Sequence, residues 1–150
     1  MTSRRMKSGT MSADRILIDT SVWIDYFRNE SARFVDFVAE IVKNHEICVP
    51  RIVLAELMQG AKSEKELSII AEFMEAFTII DQTDQTWAKS GRLSYDLRKK
   101  GKSVNLTDCY IAVIAQENNC SVLTLDQHFK DIRPHAGTHV IDVEAALREK

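Results

Sequence analysis

Four carboxylic acids of this 150-residue sequence stand in or directly after apolar runs, where buried core residues are expected. Asp19 follows the run ILI, and Asp126 follows SVLTL. Glu56 lies within IVLAELM, and Asp108 lies within LTDCYIAVIA. A carboxylate that leaves water without gaining a partner costs several kcal/mol or takes up a proton. These four residues are therefore the first candidates for chemistry.

Each of these acids also has an ordinary structural explanation. Asp19 or Asp126 could cap a helix. Glu56 could lie at the exposed edge of a helix, and Asp108 could pair with a buried arginine. The four together favour another interpretation, because neighbouring carboxylates repel one another unless a cation neutralises them. Oxygen ligands of this kind suit Mg²⁺ or Mn²⁺, so the set indicates a metal site.

Short β-branched runs predict the strands that would carry two of these acids. The runs are continuous rather than alternating, as expected for parallel strands that are buried on both faces. Asp19 and Asp126 would then lie at the carboxyl ends of strands, where open parallel sheets bind ligands. The predicted strands are residues 16–18, 47–49, 78–80, 122–125 and, with a weaker pattern, 140–143.

Helical patterns separate the predicted strands. Two apolar stripes have helical spacing, and a serine precedes each as a candidate N-cap. A third helix is predicted over 84–100, ending at Gly101, and a fourth over 106–118, apolar almost all round. Strands that alternate with helices predict an α/β fold with a mainly parallel sheet. The stripes are Phe34, Phe37, Val38 and Ile41 after Ser31, and Leu67, Ile70, Met74 and Phe77 after Ser63.

Composition places the chain among folded, soluble proteins. Hydrophobic residues make up 45% and charged residues 28%, with a net charge of −2. This charge argues against binding nucleic acid by bulk positive charge, but it leaves a local basic patch open. Cys48, Cys109 and Cys120 lie in apolar runs without CxxC spacing, which predicts reduced core thiols. No apolar run approaches the ~18 residues of a membrane span, so we expect a cytoplasmic protein.

The first 14 residues, MTSRRMKSGTMSAD, are basic and polar. No apolar h-region follows them, so they do not have the pattern of a secretory signal. We expect a disordered tail over 1–14, and Met11 would also serve as a start. The rest of the chain, 15–150, contains neither a repeat nor a linker and is predicted to form one domain.

Four segments of the chain follow one another in a characteristic order and spacing. They are LIDTSVWID, LAELMQG, GKSVNLTDCYIAVIA and LTLDQHFKDI. Together they resemble the four acidic motifs of the PIN-domain family in its small form, the VapC-type toxins of toxin–antitoxin systems. Ser21, Gly60 and the pair His128-Phe129 also match in position. The resemblance runs from Arg15 to the end and implies a three-layer α/β/α sandwich with a mainly parallel central sheet.

The resemblance assigns a role to each matching residue. Asp19 and Asp108 match the principal Mg²⁺ ligands of the family, and Asp126 matches the acid that completes the metal site. Glu56 matches the acid that orients or helps to activate the attacking water. Glu56 and Asp126 are therefore the catalytic candidates. Ser21 matches the small hydroxyl residue that supports the first aspartate.

The function implied by the resemblance is that of a Mg²⁺-dependent endoribonuclease, with Mn²⁺ as the alternative ion. It would act as a toxin, inhibited by a VapB-type antitoxin that lies over the site. Such toxins usually pair as homodimers and meet DNA only through the antitoxin. Two alternatives stay open: a PIN nuclease of RNA maturation outside toxin–antitoxin biology, and a catalytically silent RNA- or protein-binding PIN module. A neighbouring antitoxin gene would distinguish a toxin from the RNA-maturation enzyme. The four intact acids count against the silent binding module.

One basic segment, RLSYDLRKKGK over 92–102, leads directly towards Asp108. Its ordinary interpretation is a solvated helix end whose cations favour the C-terminal end of the helix dipole. Alternatively, it could hold RNA phosphates beside a site whose own charge would repel them. The candidate RNA-binding residues are Arg98, Lys99, Lys100 and Lys102.

Two further groups of side chains have competing interpretations. Trp23, Tyr26 and Phe27 could stack on bases, but their helical spacing is more typical of core or of a docking face. We expect the antitoxin to dock on helix 20–28 and on the stripe through Phe34 and Ile41. Elsewhere, two histidines stand four residues apart, but a nearby proline and glycine make a helix improbable there and predict loop histidines rather than zinc ligands. These residues are His135 and His139, with Pro134 and Gly137.

Overall fold

A computed structural model describes residues 15–149, and the predicted tail over 1–14 lies outside these residues. Five strands within the described range form one sheet in which every neighbouring pair is parallel. The strands are β1 (Arg15–Ile18), β2 (Glu46–Pro50), β3 (Thr78–Ile80), β4 (Ser121–Thr124) and β5 (Val140–Asp142). Their order in the sheet is β3-β2-β1-β4-β5. The predicted strands are confirmed to within one residue at each end.

Helices connect the strands and cover the sheet, which gives the expected three-layer α/β/α sandwich. This architecture follows from burial, because residues 16–18 of β1 and 122–123 of β4 are at most 1% exposed. Strands buried on both faces need helices on both sides. The helices are α1 (Thr20–Arg28), α2 (Ala32–Asn44), α3 (Arg51–Gln59), α4 (Glu64–Met74), α5 (Thr86–Lys99), α6 (Leu106–Glu117), α7 (Phe129–Ala136) and α8 (Val143–Arg148).

The helix ends have the local chemistry that their sequences predict. The Ser31 hydroxyl accepts a hydrogen bond from the Phe34 N–H at the start of α2, at 3.3 Å. The Ser63 hydroxyl accepts one from the Glu66 N–H at the start of α4, at 3.0 Å. Gly101 follows α5 with a left-handed φ of 80°, a conformation that glycine adopts without steric cost. Both predicted caps and the predicted stop are confirmed.

Trp23 belongs to the core and is fully buried. Its ring lies 6.1 Å from Phe27, 5.7 Å from Phe73 and 5.6 Å from Phe77, measured between ring centroids. These contacts fix α1 against α4 and the segment after it. The core interpretation of Trp23 is therefore confirmed, and this ring is not available for stacking on a base.

The prediction that Pro134 and Gly137 exclude a helix is wrong. Pro134 lies inside α7 close to its end, where its missing N–H costs a single hydrogen bond. Gly137, with a φ of 66°, follows the last helical residue and ends the helix. His135 is therefore exposed on a helix, whereas His139 precedes β5 with its Nδ1 3.0 Å from the Ser121 hydroxyl oxygen.

The strand order contains a topological switch point between β1 and β4. From β1 the chain extends the sheet through β2 to β3, and then returns to the other side of β1 with β4 and β5. The helices that follow β1 and β4 leave in opposite directions at such a point, which opens a crevice at the carboxyl edge of the sheet. Asp19 and Asp126 are placed at this edge by the ends of β1 and β4.

The cysteines and the lengths of the helices can be described for residues 15–149. Cys48, Cys109 and Cys120 are buried free thiols, as expected. In this range we find no helix that combines the length and the apolar character needed to cross a lipid bilayer.

Candidate metal centre and active site

Asp19 is the first residue after β1 and is only 6% exposed. Its backbone N–H donates to the Leu123 carbonyl of β4 at 2.9 Å, which continues the pairing between the two strands. Asp19 occupies the N-cap position of α1, but its side chain makes no capping hydrogen bond. The helix-cap explanation for this acid is therefore wrong, and its carboxylate faces the switch point.

Two hydroxyl groups hold the Asp19 carboxylate. Ser21 Oγ and Thr124 Oγ1 both donate to Asp19 Oδ2, at 2.7 Å and 3.0 Å. Each hydroxyl also accepts a backbone N–H from the segment that follows β4: Leu125 donates to Ser21 at 3.1 Å, and Asp126 donates to Thr124 at 2.9 Å. The two hydroxyls therefore join the ends of β1 and β4 and fix Asp19 relative to Asp126.

Asp126 lies in a tight turn between β4 and α7. Its Oδ1 accepts the backbone N–H of His128 at 2.9 Å, the local pattern that aspartate makes in turns. The turn brings the His128 ring back over the acids. His128 Nδ1 lies 3.3 Å from Asp126 Oδ1 and 3.7 Å from Asp108 Oδ2.

Asp108 reaches the same place from the first turn of α6. Asn105 caps this helix, with its Oδ1 accepting the Asp108 N–H at 2.8 Å. The positive end of the helix dipole favours a carboxylate here. Asp108 is 8% exposed, and its Oδ2 is buried without a hydrogen-bond partner among the described residues. The ion pair that the sequence allowed with a buried arginine is replaced by the contact with His128.

Burial and neighbouring carboxylates raise the pKa values of Asp19 and Asp108. Burial, followed by the charges of Asp126 and Asp19, raises the pKa of Asp108 to about 7. Burial also raises the pKa of Asp19, although the hydrogen bonds from Ser21 and Thr124 partly offset this effect. The three aspartates are thus close enough to interact electrostatically in an environment that has little water.

This arrangement fits a divalent cation. Ligand atoms of Asp108, Asp126 and His128 all lie within 4.8 Å of one another. A cation would relieve the repulsion among the carboxylates and would give the orphaned Asp108 Oδ2 a partner. Asp19 lies beside this group, with its Oδ2 already held by two hydroxyls. The assignment of Asp19 and Asp108 as principal ligands stays a prediction, and His128 is an additional candidate that the sequence did not identify as a ligand.

Glu56 lies on α3 and is half-buried. A residue of α1 holds its carboxylate. Thr20 Oγ1 donates to Glu56 Oε1 at 2.6 Å, and Thr20 directly follows Asp19. Glu56 does not belong to the tight group formed by Asp108, Asp126 and His128. Its predicted role in orienting water stays a prediction, but its carboxylate is fixed next to Asp19 rather than free at a helix edge.

The basic stretch is exposed at the end of α5 and in the loop that leads to α6. Lys99 Nζ lies 5.7 Å from the centroid of the Tyr95 ring, and Lys102 Nζ lies 3.4 Å from Asp131 Oδ1 on α7. The contact with Asp131 connects this loop to the helix that follows the Asp126 turn. The exposed residues are Arg98, Lys99, Lys100 and Lys102, and their role in binding RNA stays a prediction.

Comparisons with known proteins agree with this geometry. The sequence profile of the PIN domain matches residues 16–133. Ribonuclease VapC19 of Mycobacterium tuberculosis is 31% identical over 123 residues, which cover 79% of this chain and 97% of that protein. Ribonuclease VapC1 of Methanocaldococcus jannaschii is 27% identical over 120 residues, covering 79% of this chain and 82% of that protein.

Solved structures share the fold. VapBC2 from Rickettsia felis, bound to a DNA fragment from its promoter, gives a TM-score of 0.72 at 24% identity, covering 85% of this chain and 98% of that one. DNA-bound VapBC from Salmonella typhimurium gives 0.71 at 25% identity, covering 89% and 99%. The fold of this chain is thus that of a known class of α/β domain. The chain belongs to the PIN-domain family, among its VapC-type members.

The clustering of acids predicts that metal-free protein is strained at Asp108. The folded-state pKa of about 7 lies above the ordinary value of 3.8, so the native state binds this proton more tightly than the unfolded chain. This contribution is present at low pH, and the free energy of unfolding falls as pH rises towards 7. In EDTA, we expect Asp108→Asn to raise that free energy by roughly 1–3 kcal/mol at pH 8 and by less than half as much at pH 5.

Urea unfolding of the wild type and the variant at both pH values checks this prediction. Asp84→Asn, at an exposed aspartate before α5, is the matched control and should change little at either pH. An Asp108→Asn protein that is less stable than the wild type at pH 8 would contradict the prediction, because it would mean that the charge of Asp108 is structural.

Proposed function

We propose that this chain is a divalent-metal-dependent endoribonuclease and the toxin of a VapBC-type toxin–antitoxin module. The observation that carries the proposal is the convergence of buried carboxylates at the switch point, with one carboxylate oxygen left without a partner. Relatives that are named ribonuclease VapC support RNA as the substrate. We propose Mg²⁺ as the ion, with Mn²⁺ as the alternative.

The residues of the site divide the work of phosphodiester hydrolysis. Asp19, Asp108 and Asp126 would hold the ion, which when bound stabilises charge on the scissile phosphate and makes water a better nucleophile. Glu56, whose Oε1 accepts a hydrogen bond from the Thr20 hydroxyl, would orient the attacking water or accept its proton. Hydroxyl groups hold the carboxylates of Asp19 and Glu56, and the turn at His128 holds that of Asp126, so these acids need little reorganisation during the reaction.

Removing the charge of Asp19 or Asp108 should abolish RNA cleavage while the protein stays folded. We expect Asp19→Asn and Asp108→Asn to lower kcat/KM by roughly 100-fold or more. In each variant a neutral amide, which is a poor ligand, would replace one of the carboxylates that hold the ion. Excess EDTA should abolish cleavage by the wild type. Asp84→Asn should behave as the wild type. Circular dichroism and urea unfolding of each variant separate lost chemistry from lost structure.

Full activity in EDTA would refute metal dependence. Expression of the protein alone, with growth and total RNA followed over time, tests the toxin role and separates the alternatives. A toxin should arrest growth as RNA fragments accumulate, and Asp108→Asn should prevent both effects. An RNA-maturation enzyme should produce fragments of specific precursors without arresting growth, and a silent binding module should produce neither fragments nor a difference between wild type and variant.

We also propose a VapB-type antitoxin as the partner, a homodimer as the toxin's own assembly, and contact with DNA only through the antitoxin. Structural neighbours solved as VapBC complexes support the antitoxin. The predicted docking face is narrower than expected, because Trp23 and Phe34 are buried in the core. Ile24 of α1 stays exposed, and a groove of about 570 Å³ lies between α2 and α8, lined by Phe37, Ile41 and Leu147 among others.

A charge placed in this groove should weaken the antitoxin complex. We expect Ile41→Asp to reduce affinity for the cognate antitoxin at least about tenfold, since a desolvated carboxylate would face an apolar segment. Ile69→Asp is the control, because Ile69 is a half-exposed isoleucine on α4, outside the groove. Isothermal titration with the antitoxin encoded beside the gene measures both. Equal affinities for the two variants would place the docking face elsewhere.

The basic stretch should affect RNA binding and leave the chemistry unchanged. If it holds phosphates, Lys99→Gln with Lys100→Gln should weaken binding similarly for RNAs of different sequence. It should also flatten the dependence of log affinity on log salt by up to ~0.7 per lost contact. A salt titration in Ca²⁺, which suppresses cleavage, measures the slope. Lys43→Gln with Lys65→Gln, on α2 and α4, is the control. An unchanged slope would return the stretch to a solvated helix end.

A further inference from the structure

His128 is the one nitrogen-bearing side chain in the group of possible metal ligands that the described residues form. Its Nδ1 lies 3.3 Å from Asp126 Oδ1 and 3.7 Å from Asp108 Oδ2. The other members of the group offer oxygen. The position of this ring therefore bears on which ion the site prefers.

The ring is held over the acids by the local backbone. The His128 N–H donates to Asp126 Oδ1, which fixes the turn at the end of β4. The next residue, Phe129, is fully buried and anchors the start of α7 in the core. The backbone of His128 is therefore fixed beside Asp126, and about half of its side chain is exposed.

Asp108 supplies an independent reason to place an ion beside this ring. Its Oδ2 is buried without a hydrogen-bond partner and lies on the side that faces His128 Nδ1. The residue is 8% exposed, so bulk water does not readily supply the missing partner. An ion held jointly by Asp108, Asp126 and His128 would satisfy this oxygen and use the ring nitrogen at the same time.

We propose that His128 is a nitrogen ligand of the metal ion and biases the site towards Mn²⁺ over Mg²⁺. Magnesium takes oxygen ligands in rigid octahedral geometry, whereas imidazole nitrogen suits first-row transition ions. His128 would then add one imidazole nitrogen to the carboxylate oxygens of Asp19, Asp108 and Asp126 that are proposed to hold the ion. This inference deepens the proposed function and rests on it in one respect, namely that a divalent ion binds between these acids.

The rival role for His128 is that of a built-in counter-ion. A protonated ring would occupy the place of the metal and neutralise Asp108 and Asp126 by itself. The two roles have opposite consequences for the affinity of the site. A ligand strengthens metal binding, so its removal weakens binding. A counter-ion competes with the metal, so its removal strengthens binding or leaves it unchanged.

Metal binding to the purified wild-type chain and to His128→Ala decides between these roles. Free Mn²⁺ is quantified by its electron paramagnetic resonance signal, and Mg²⁺ affinity is measured by competition. We expect the wild type to bind Mn²⁺ at least about tenfold more tightly than Mg²⁺. His128→Ala should lose roughly tenfold or more in Mn²⁺ affinity and distinctly less in Mg²⁺ affinity. His135→Gln, at an exposed histidine on α7, should match the wild type.

A spectroscopic measurement on the wild type tests nitrogen coordination directly, without a measurement of activity. Bound Mn²⁺ in the wild type should show electron spin-echo modulation from a coordinated ¹⁴N nucleus, and His128→Gln should remove this modulation. Its absence in the wild type, or unchanged or tighter Mn²⁺ binding by His128→Ala, would overturn the inference while leaving a metal-dependent nuclease intact. If neither Mn²⁺ nor Mg²⁺ bound to the wild type, the metal site itself would be overturned as well.

Discussion

The repulsion among Asp19, Asp108 and Asp126 is the constraint on which the rest of the structure depends. Placing like charges together at the edge of a core is costly, and burial raises the pKa of Asp108 to about 7. The protein offsets part of this cost at Asp19, where the hydroxyls of Ser21 and Thr124 donate to the carboxylate. None of these partners carries a positive charge, so the acids remain available to a cation.

The scaffold makes that local arrangement rigid. β1 and β4 are neighbours in the sheet, so the acids that follow them meet without any need for a long loop. α6 is buried over most of its surface, from Asp108 to residue 115, so it cannot rotate without breaking its packing against the sheet and α5. The described helix with the most buried residues thus carries the acid whose pKa rises to about 7.

The sequence predicted those parts of the fold in which one physical effect dominates. Continuous β-branched runs have little alternative to a buried parallel strand, and Asp19 and Asp126 were placed at the strand ends for that reason. α7 was missed because the helix tolerates Pro134 near its end, which depends on where the helix stops rather than on the proline itself. His128 stands in a quoted motif, but only the turn at Asp126 brings its ring over the acids, and a turn of this kind has no periodic pattern.

The hydrogen bond from Thr124 to Asp19 joins residues that are 105 positions apart in the chain. During synthesis, the segments of β1, β2 and β3 leave the ribosome before that of β4, because they precede it in the chain. At that stage Asp19 has neither its second hydroxyl partner nor the acids of the other half of the site. The crevice can close only once Asp126 and the turn after it have been added. Chains that are interrupted before this point would carry the first acid and most of the sheet, but would lack the assembled centre.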